Sequence, residues 1–397
     1  MPLETDDRTA AAAGPVPGFL PEGSVGPAHL FDAPCSLSER LHMLHKQLRT
    51  APGLAGIGRI AVATYDLGTD ELRTFIDSSD QKIELAHYRA PLAQTTMLVE
   101  AAKQHSWRVL TLYPPSEENR KRHSRSLYDA GYRSSLAVPF FDFSGLLGFG
   151  FFNSTEVGFF DNGVPQQLWP YVQLISLMIT NELAAARVAR AGAKTIQGFS
   201  RYKDTETATH QERMAHYSRL IALENAERWQ LTDEYIEHLF WFAPLHDIGK
   251  VGVPDSVLLK QGKLTDEEIV VMKKHVAIGL EIVDTMLREF HLADMPYSAI
   301  LRNAVACHHE CVDGSGYPNG LKGDEIPLEG RIFAVADVFD ALTGERPYKK
   351  RWTNEAALDY LRELSGKRFD PLCIAALVDN VPAIEEIQRR FARDLPV

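Results

Sequence analysis

The sequence predicts a mixed α+β protein of more than one domain, with an α/β N-terminal half and an all-helical C-terminal half. Paired runs of strand-forming residues occur before residue 160, and helical periodicity dominates from Glu206 onward. The chain has 397 residues, 45% of them hydrophobic and 24% charged. That length allows two cored domains of roughly 100–200 residues each. We predict a flexible tail at 1–30, an α/β domain at 31–183, a helical connector at 184–205 and a helical domain at 206–397.

Composition argues against several classes of protein. The 53 acidic residues outnumber the 42 basic ones, so the chain lacks the overall basic footprint of a DNA-binding protein, although a local basic pocket stays open. Its apolar stretches are far shorter than the roughly 20 residues that a membrane-spanning helix needs. The N-terminus begins with acidic residues instead of a signal peptide, and the four cysteines have no framework spacing. We therefore expect a cytoplasmic protein with no DNA partner and no membrane span.

Apolar runs and turn signals define the α/β half. The predicted elements are, in order, a helix at 36–48 with Ser36 as its cap, strands at 58–65, 71–76, 134–141 and 145–153, and a helix at about 165–183. The strands form two hairpins. The segment GLLGFGFF in the last strand is apolar on both faces and rich in glycine. It is therefore expected at the centre of the sheet.

The C-terminal half shows few strand signals. Thr265 and Glu268 form a capping-box pattern. We predict one helix that continues from this box, with one apolar face made of Ile269, Met272, Val276, Leu280 and Val283. Further helices are predicted at 233–246, 299–309, 332–342 and 354–364. The connector at 184–205 is rich in alanine and charge. Helical connectors of this kind often pair across a dimer, so we expect a homodimer, although the apolar stripe here is thin.

Histidines and carboxylates recur through the helical half in a pattern that suits metal chemistry. The candidates are Glu206, His210, His246, Asp247, His275, His308, His309 and Asp337. Imidazole and carboxylate together suit iron, manganese and similar divalent ions. A carboxylate such as Asp247 can bridge two ions, which could then activate a water and clamp a phosphoryl group. Each pair alone would more often be structural, but a buried carboxylate in the apolar segment around Asp337 would be costly without a partner.

The ordered motifs extend this pattern. The string HDIGK contains His246 and Asp247, and HHECVDGSGYP follows from His308 to Pro318, ahead of the Asp337 segment DVFDAL. Over residues 199–397 this resembles the HD-GYP branch of the HD phosphohydrolases. The resemblance implies a helical bundle around two or three divalent ions, iron or manganese, held by the eight candidates above. In the family, a glutamate at the position of Glu206 is found in the three-metal form, so the resemblance favours three ions here. The implied activity is hydrolysis of cyclic di-GMP to pGpG or GMP.

The same resemblance suggests further site residues. It gives Asp247 and Lys250 catalytic roles, although a lysine after Gly249 could also be a surface residue. It gives Arg346 and Lys349 the task of holding the substrate phosphates. Tyr317 could touch the substrate, or its glycine-rich loop could simply form a turn and a surface for protein partners. Residues Cys311 and Val312 depart from the family pattern, in which a basic and an aromatic residue are common.

The α/β half resembles the GAF sensor domain over about residues 30–186, through the segment SSLAVPFFDFSGLLGFGFFN. The cyclic-nucleotide signature and a bilin-type cysteine are both missing, so the small ligand of this domain is open. Two other functions stay open as well. One is a weakly catalytic module that binds cyclic di-GMP or proteins, and the other is hydrolysis of a different cyclic dinucleotide. Because the connector leads into the segment of Glu206 and His210, a ligand in the GAF-like domain could regulate the site.

Overall fold

The structure is a computed structural model, and it describes residues 35–81, 83, 85–114, 122–143, 145–161, 163–200, 208–290, 292, 297–344 and 351–392. The predicted tail at 1–30 lies outside these residues, as does the end of the predicted connector, 201–205. All contacts below lie within the compact unit Pro34–Val397. Among the described residues, no helix is both long and apolar enough to cross a bilayer.

The N-terminal half contains one antiparallel six-stranded sheet with the strand order β3-β2-β1-β6-β5-β4. Its strands are β1 (Ile57–Asp66), β2 (Glu71–Ser79), β3 (Arg89–Pro91), β4 (Arg108–Thr111), β5 (Ser134–Asp142) and β6 (Gly145–Ser154). Both predicted hairpins are confirmed, with turns between β1 and β2 and between β5 and β6. The short strands β3 and β4 at the two sheet edges were not predicted.

Strand β6 lies at the centre of the sheet, as its apolar and glycine-rich sequence predicted. It pairs with β1 on one side and with β5 on the other. Gly148 has a φ of +154°, and a Cβ there would collide with the carbonyl oxygen of Ala63 on β1. Glycine therefore lets the two central strands approach at this point. Phe149 and Phe152 are fully buried on the same strand.

Four helices accompany the sheet: α1 (Leu37–Leu48), α2 (Thr96–Lys103), α3 (Arg122–Asp129) and α4 (Val164–Ser200). Helix α1 begins where the sequence predicts, because the side chains of Ser36 and Glu39 form a reciprocal capping box. Helix α4 includes both the predicted helix at 165–183 and the described part of the connector as one continuous element. An unbroken helix thus leads from the sheet half to Ser200.

The described residues of the C-terminal half form helices joined by turns and loops, with two isolated β-bridges and no strand. Its helices are α5 (Ala208–Glu224), α6 (Ala226–Trp229), α7 (Asp233–Phe242), α8 (Asp255–Leu258), α9 (Asp266–Lys273), α10 (His275–Glu289), α11 (Ser298–Cys307), α12 (Leu328–Thr343), α13 (Asn354–Glu363), α14 (Pro371–Asp379) and α15 (Val381–Arg390). Helix α12 contacts α5, α11, α13 and α14, and its Phe333 and Phe339 are fully buried. The predicted α+β class, with a helical C-terminal half, is confirmed.

Two predicted helices have different ends. The capping box of Thr265 and Glu268 is present, but the single helix predicted beyond it is wrong. The chain forms α9 and then α10, with a break at Lys274, and His275 is the first residue of α10. No residue of α9 is buried, so its apolar residues do not continue the buried face of α10. Helix α7 ends at Phe242 instead of His246, because Pro244 follows in a 3₁₀ turn and cannot donate a backbone hydrogen bond.

The first turn of α7 connects the two halves of this unit. The carboxylate of Glu234, which is almost fully buried, accepts hydrogen bonds from the backbone N–H groups of Leu37 and Ser38 at 3.0 and 3.2 Å and from the Ser38 hydroxyl at 2.7 Å. Asp233 accepts a 2.7 Å hydrogen bond from the Thr74 hydroxyl on β2. Two neighbouring acids of one helix thus bind α1 and the sheet.

We predict that Glu234→Ala lowers the free energy of unfolding by about 2 kcal/mol, because three donors around a buried carboxylate lose their acceptor. Glu355→Ala is a matched control, since Glu355 is also the second residue of a helix with a threonine cap, but is exposed. This control should change stability by no more than about 0.5 kcal/mol. Urea unfolding measures both, and equal midpoints for the two variants would contradict the structural role of Glu234.

Candidate metal centre

Three histidines of the helical half are oriented in the same way by backbone carbonyl groups. The Nδ1 atoms of His246, His275 and His308 lie 2.9, 2.8 and 2.8 Å from the carbonyl oxygens of Ala243, Met272 and Ala304. A carbonyl oxygen can only accept, so each Nδ1 carries the proton. Each neutral ring therefore has its lone pair on Nε2. The carbonyl that accepts comes three or four residues earlier in the chain, so helical turns fix the ring directions.

The Nε2 atoms converge on the carboxylate of Asp247. His246 Nε2 lies 3.0 Å from Asp247 Oδ2, while His275 Nε2 and His308 Nε2 lie 3.3 and 3.6 Å from Asp247 Oδ1. In the described part of the chain, Asp247 Oδ1 and the Nε2 atoms of His275 and His308 are buried without a hydrogen-bond partner. Lone pairs that face each other in this way repel, and a cation among them would satisfy all of them. This donor set fits a divalent metal ion.

Seven of the eight predicted ligands form two adjacent groups that could hold metal ions. One group contains Asp247, His275, His308 and His309, and the other contains His210, His246 and Asp337, with ligand atoms within 4.8 Å of one another in each. His246 and Asp247 are neighbours in sequence and belong to different groups, so the two groups adjoin. The eighth residue, Glu206, lies outside the described residues.

Two histidines of the first group are neutral. Burial lowers the pKa of His275, and burial together with the adjacent His308 lowers the pKa of His309. Burial alone would raise the pKa of Asp247, but the Lys250 ammonium outweighs burial and holds this pKa well below its usual range. Neutral imidazole and ionised carboxylate are the forms that bind metals.

A glycine brings Asp247 and Lys250 to the start of α10. A Cβ on Gly249 would collide with the carbonyl oxygen of His275 and with the backbone of Gly279, so the HDIGK segment packs directly on the α10 backbone. Lys250 Nζ then donates to Asp247 Oδ2 at 2.8 Å, and its side chain is 19% exposed. Lys250 is therefore part of the site and not a free surface lysine.

Sequence reasoning missed a second carboxylate on α12. Asp340, which is 2% exposed, accepts from His210 Nδ1 at 2.7 Å and binds Arg213 through two hydrogen bonds of 2.6 and 2.8 Å. The ring of His210 is thereby directed with Nε2 toward Asp337 Oδ1, at 3.6 Å. The signal was present, because Asp337 and Asp340 are three apart in an apolar helix and share a face.

The glycine-rich loop after His309 is held against the site. Glu310, buried and also missed, accepts from the backbone N–H groups of Asn319 and Leu321 at 2.8 and 3.0 Å. The ring of Tyr317 stacks on His309 with centroids 4.6 Å apart, and Lys273 Nζ lies 4.6 Å from the Tyr317 ring centroid.

The sequence also drew attention to Cys311 and to two proposed phosphate-binding residues. Cys311, at one of the positions that depart from the family pattern, is buried. The predicted phosphate-binding residues Arg346 and Lys349 lie outside the described residues.

The fold and the site together define a helical domain with a buried histidine–aspartate centre able to hold divalent metal ions. Residues 202–372, most of the helical half, match the family model described as HD domain. The chain is 46% identical over 191 residues to the cyclic di-GMP phosphodiesterase response regulator RpfG of Xanthomonas campestris, covering 48% of this chain and 48% of that protein. It is 37% identical over 206 residues to the 3'3'-cGAMP-specific phosphodiesterase 2 of Vibrio cholerae, covering 52% and 37%.

The chain spans about half the length, or less, of these curated relatives. Among solved structures, the GAF domain of a two-component sensor histidine kinase from Bacillus halodurans aligns with a TM-score of 0.28 and 12% identity, covering 38% of this chain and 97% of that one. At that score the likeness adds nothing to the sheet architecture described above.

We predict that Asp340→Asn weakens metal binding about 10–100-fold, because the amide no longer fixes His210 and no longer neutralises Arg213. Asp359→Asn is the control, since Asp359 is exposed and pairs only with Arg362 among the described residues. Competition with a chromophoric chelator measures Mn²⁺ affinity in both variants. Unchanged affinity in Asp340→Asn would show that this carboxylate does not support the site.

Proposed function

We propose that this protein is a metal-dependent phosphodiesterase that hydrolyses cyclic di-GMP to pGpG, GMP or both. The observation that carries the proposal is the convergence of histidine Nε2 lone pairs on Asp247, fixed by backbone carbonyls. The identity to curated cyclic di-GMP phosphodiesterases over about half of the chain supports the substrate. Divalent ions in such a site supply a water of lowered pKa as nucleophile and polarise the phosphoryl oxygens.

We assign the ions to Glu206, His210, His246, Asp247, His275, His308, His309 and Asp337, with Asp247 between the two groups. Iron or manganese suits this set of imidazoles and carboxylates, which contains no thiolate. Glu206, if it joins the second group, favours three ions over two.

The remaining residues of the site bind and orient the substrate in this proposal. Lys250 donates one hydrogen bond to Asp247. The other N–H groups of its ammonium can stabilise charge that develops on the phosphoryl oxygens. Tyr317, held against His309 and close to Lys273, offers a ring for a substrate base. Arg346 and Lys349 would hold the phosphates, with the guanidinium forming paired hydrogen bonds.

Other parts of the function are proposed on the sequence alone. We propose a cytoplasmic homodimer that pairs through the connector, regulation by a small ligand of the GAF-like domain, and a protein-contact surface on the loop of Tyr317. A catalytically weak binding module remains the alternative, and the convergent ligand set argues against it.

A second substrate candidate is 3'3'-cGAMP, since relatives 32–41% identical to this chain are named as phosphodiesterases for that dinucleotide. Direct competition between cyclic di-GMP and 3'3'-cGAMP in one hydrolysis assay separates the two candidates. Preferential turnover of 3'3'-cGAMP would replace the proposed substrate and keep the proposed chemistry.

We predict that Asp247→Ala abolishes cyclic di-GMP hydrolysis and leaves the helical circular dichroism spectrum intact, because the carboxylate common to the histidine lone pairs is lost. Asp266→Ala, which removes an exposed aspartate from the first turn of α9, should keep full activity. Product analysis by chromatography measures pGpG and GMP. Full activity in Asp247→Ala would refute the assigned site.

We predict that protein purified without oxygen contains two or three equivalents of iron or manganese, and that chelation lowers the melting temperature. Ions that bind only the folded state stabilise it, so their removal must destabilise it. Elemental analysis, coupled to a hydrolysis assay on the same sample, measures both properties. Metal without product would indicate another substrate or a silent sensor. Neither metal nor product, even after reconstitution, would favour the binding module.

A further inference from the structure

A cavity of about 270 Å³ lies where the sheet meets the helical half. It is lined by the turn before β2, by β2 and β3, and by helices α5 and α15 with the residue that follows α15. It is separate from the His/Asp centre, since none of the proposed metal ligands lines it. Its size, just below the roughly 300–1,000 Å³ of typical ligand pockets, suits a small organic molecule.

Positive charge predominates in the cavity wall. Four arginines and two glutamates line it: Arg73, Arg89, Arg219 and Arg390, with Glu71 and Glu386. Arg73 and Arg219 are more than nine-tenths buried. Each has an ion pair of 2.5 Å, Arg73 with Glu71 and Arg219 with Glu237.

Two of these arginines remain exposed. Arg89 on β3 and Arg390 at the end of α15 form no ion pair within the described part of the chain. One comes from the sheet half and the other from the helical half. The wall therefore offers two guanidinium groups to an anion.

The rest of the wall is apolar and aromatic. The side chains of Leu220, Leu223 and Ile387 line it, together with the rings of His216 and Phe391. These two rings are stacked, with centroids 4.7 Å apart and an interplanar angle of 27°. Burial and the nearby Arg219 lower the pKa of His216 to about 3, so this ring is neutral. A planar group can pack against such a surface while its charge is bound by the arginines.

A chain of hydrogen bonds connects this cavity to the metal centre. The carbonyl oxygen of Phe391 accepts from Arg213 Nη1 at 3.3 Å. The same guanidinium binds Asp340, which in turn binds Nδ1 of His210. His210 and His216 lie on the same helix, α5. A ligand that moves Phe391 or α5 would therefore act on the residues that orient a proposed metal ligand.

We propose that this cavity binds a small aromatic anion, a planar ring that carries a phosphate or carboxylate, and that binding fixes α5 and α15 against the edge of the sheet. Such a ligand stabilises the state in which these elements lie together, to the extent that it binds this state better than others. Binding is measured directly, so its outcome is independent of the proposed hydrolysis.

The test uses the full chain and isothermal titration with three probes. GMP represents phosphorylated rings, 4-hydroxybenzoate represents carboxylated rings, and inorganic phosphate represents the charge alone. We expect GMP or 4-hydroxybenzoate to bind at one site, more tightly than phosphate. The variant Arg89→Gln/Arg390→Gln should weaken this binding roughly tenfold or more. Hydrogen exchange should slow in α5 and α15 when the probe is bound.

The control variant is Arg288→Gln/Arg362→Gln, which removes the same charge from two exposed arginines outside the cavity. It should bind like the unmodified chain. All four substituted side chains are exposed, so the fold is retained in both variants. The proposal is overturned if neither ring compound binds at millimolar concentration, or if phosphate binds equally well. It is also overturned if the cavity variant keeps the original affinity, as binding at the His/Asp centre would give.

Discussion

The structure depends on the burial of one ionised carboxylate among histidine lone pairs. Asp247 is 8% exposed and lies within 3.6 Å of three imidazole Nε2 atoms that cannot donate to it. Burying such a charge without a cation is costly. Lys250 supplies one positive group, at Oδ2 of Asp247. The Nε2 atoms of His275 and His308 face the other oxygen, Oδ1, where a metal ion would supply the second positive group. The helical bundle is organised so that this cluster, unfavourable by itself, becomes favourable when a divalent ion binds.

Backbone geometry holds the cluster in place. The three carbonyl groups that orient the histidines belong to the ends of α7, α9 and α11 or to the turns that follow them. The contact between Gly249 and α10 brings the HDIGK segment to the first turn of that helix, where His275 lies. The break between α9 and α10 places this histidine at a helix start. The site therefore depends on where helices begin and end more than on their amphipathic faces.

Because the site depends on where helices begin and end, its residues were easier to predict from the sequence than its geometry. The donor residues themselves were visible, because histidines and carboxylates in apolar segments are conspicuous. The two hairpins and the central β6 followed from local alternation. The break at Lys274 did not, since α9 and α10 together have nearly continuous helical periodicity and tertiary packing decides where the chain turns. The spacing of Asp337 and Asp340 was visible, but the partners of Asp340 and Glu310, namely Arg213 and the backbone of 319–321, are brought to them by the fold, so the roles of these two carboxylates were missed. The edge strands β3 and β4 are only three and four residues long, too short for a pattern.

The contacts between the halves connect the sheet to the candidate metal centre by more than one route. Sequence adjacency indicated one route, through the connector into the helix of His210. The structure provides a second, because Glu234 and Asp233 bind α1 and β2 at the start of α7, and the same helix leads through the 3₁₀ turn to His246. Helix α4 also packs against the segment Ile248–Gly252, which includes Lys250. On α5, Arg219 pairs with Asp66 of β1 at 3.4 Å.

A rearrangement of the sheet half would therefore shift the residues around Asp247 through α7 and α4. It would shift the residues around His210 through α5. Because α5 carries His210 and α7 leads into His246 and Asp247, a shift in either helix would alter the spacing between the two groups as well as the position of a single ligand.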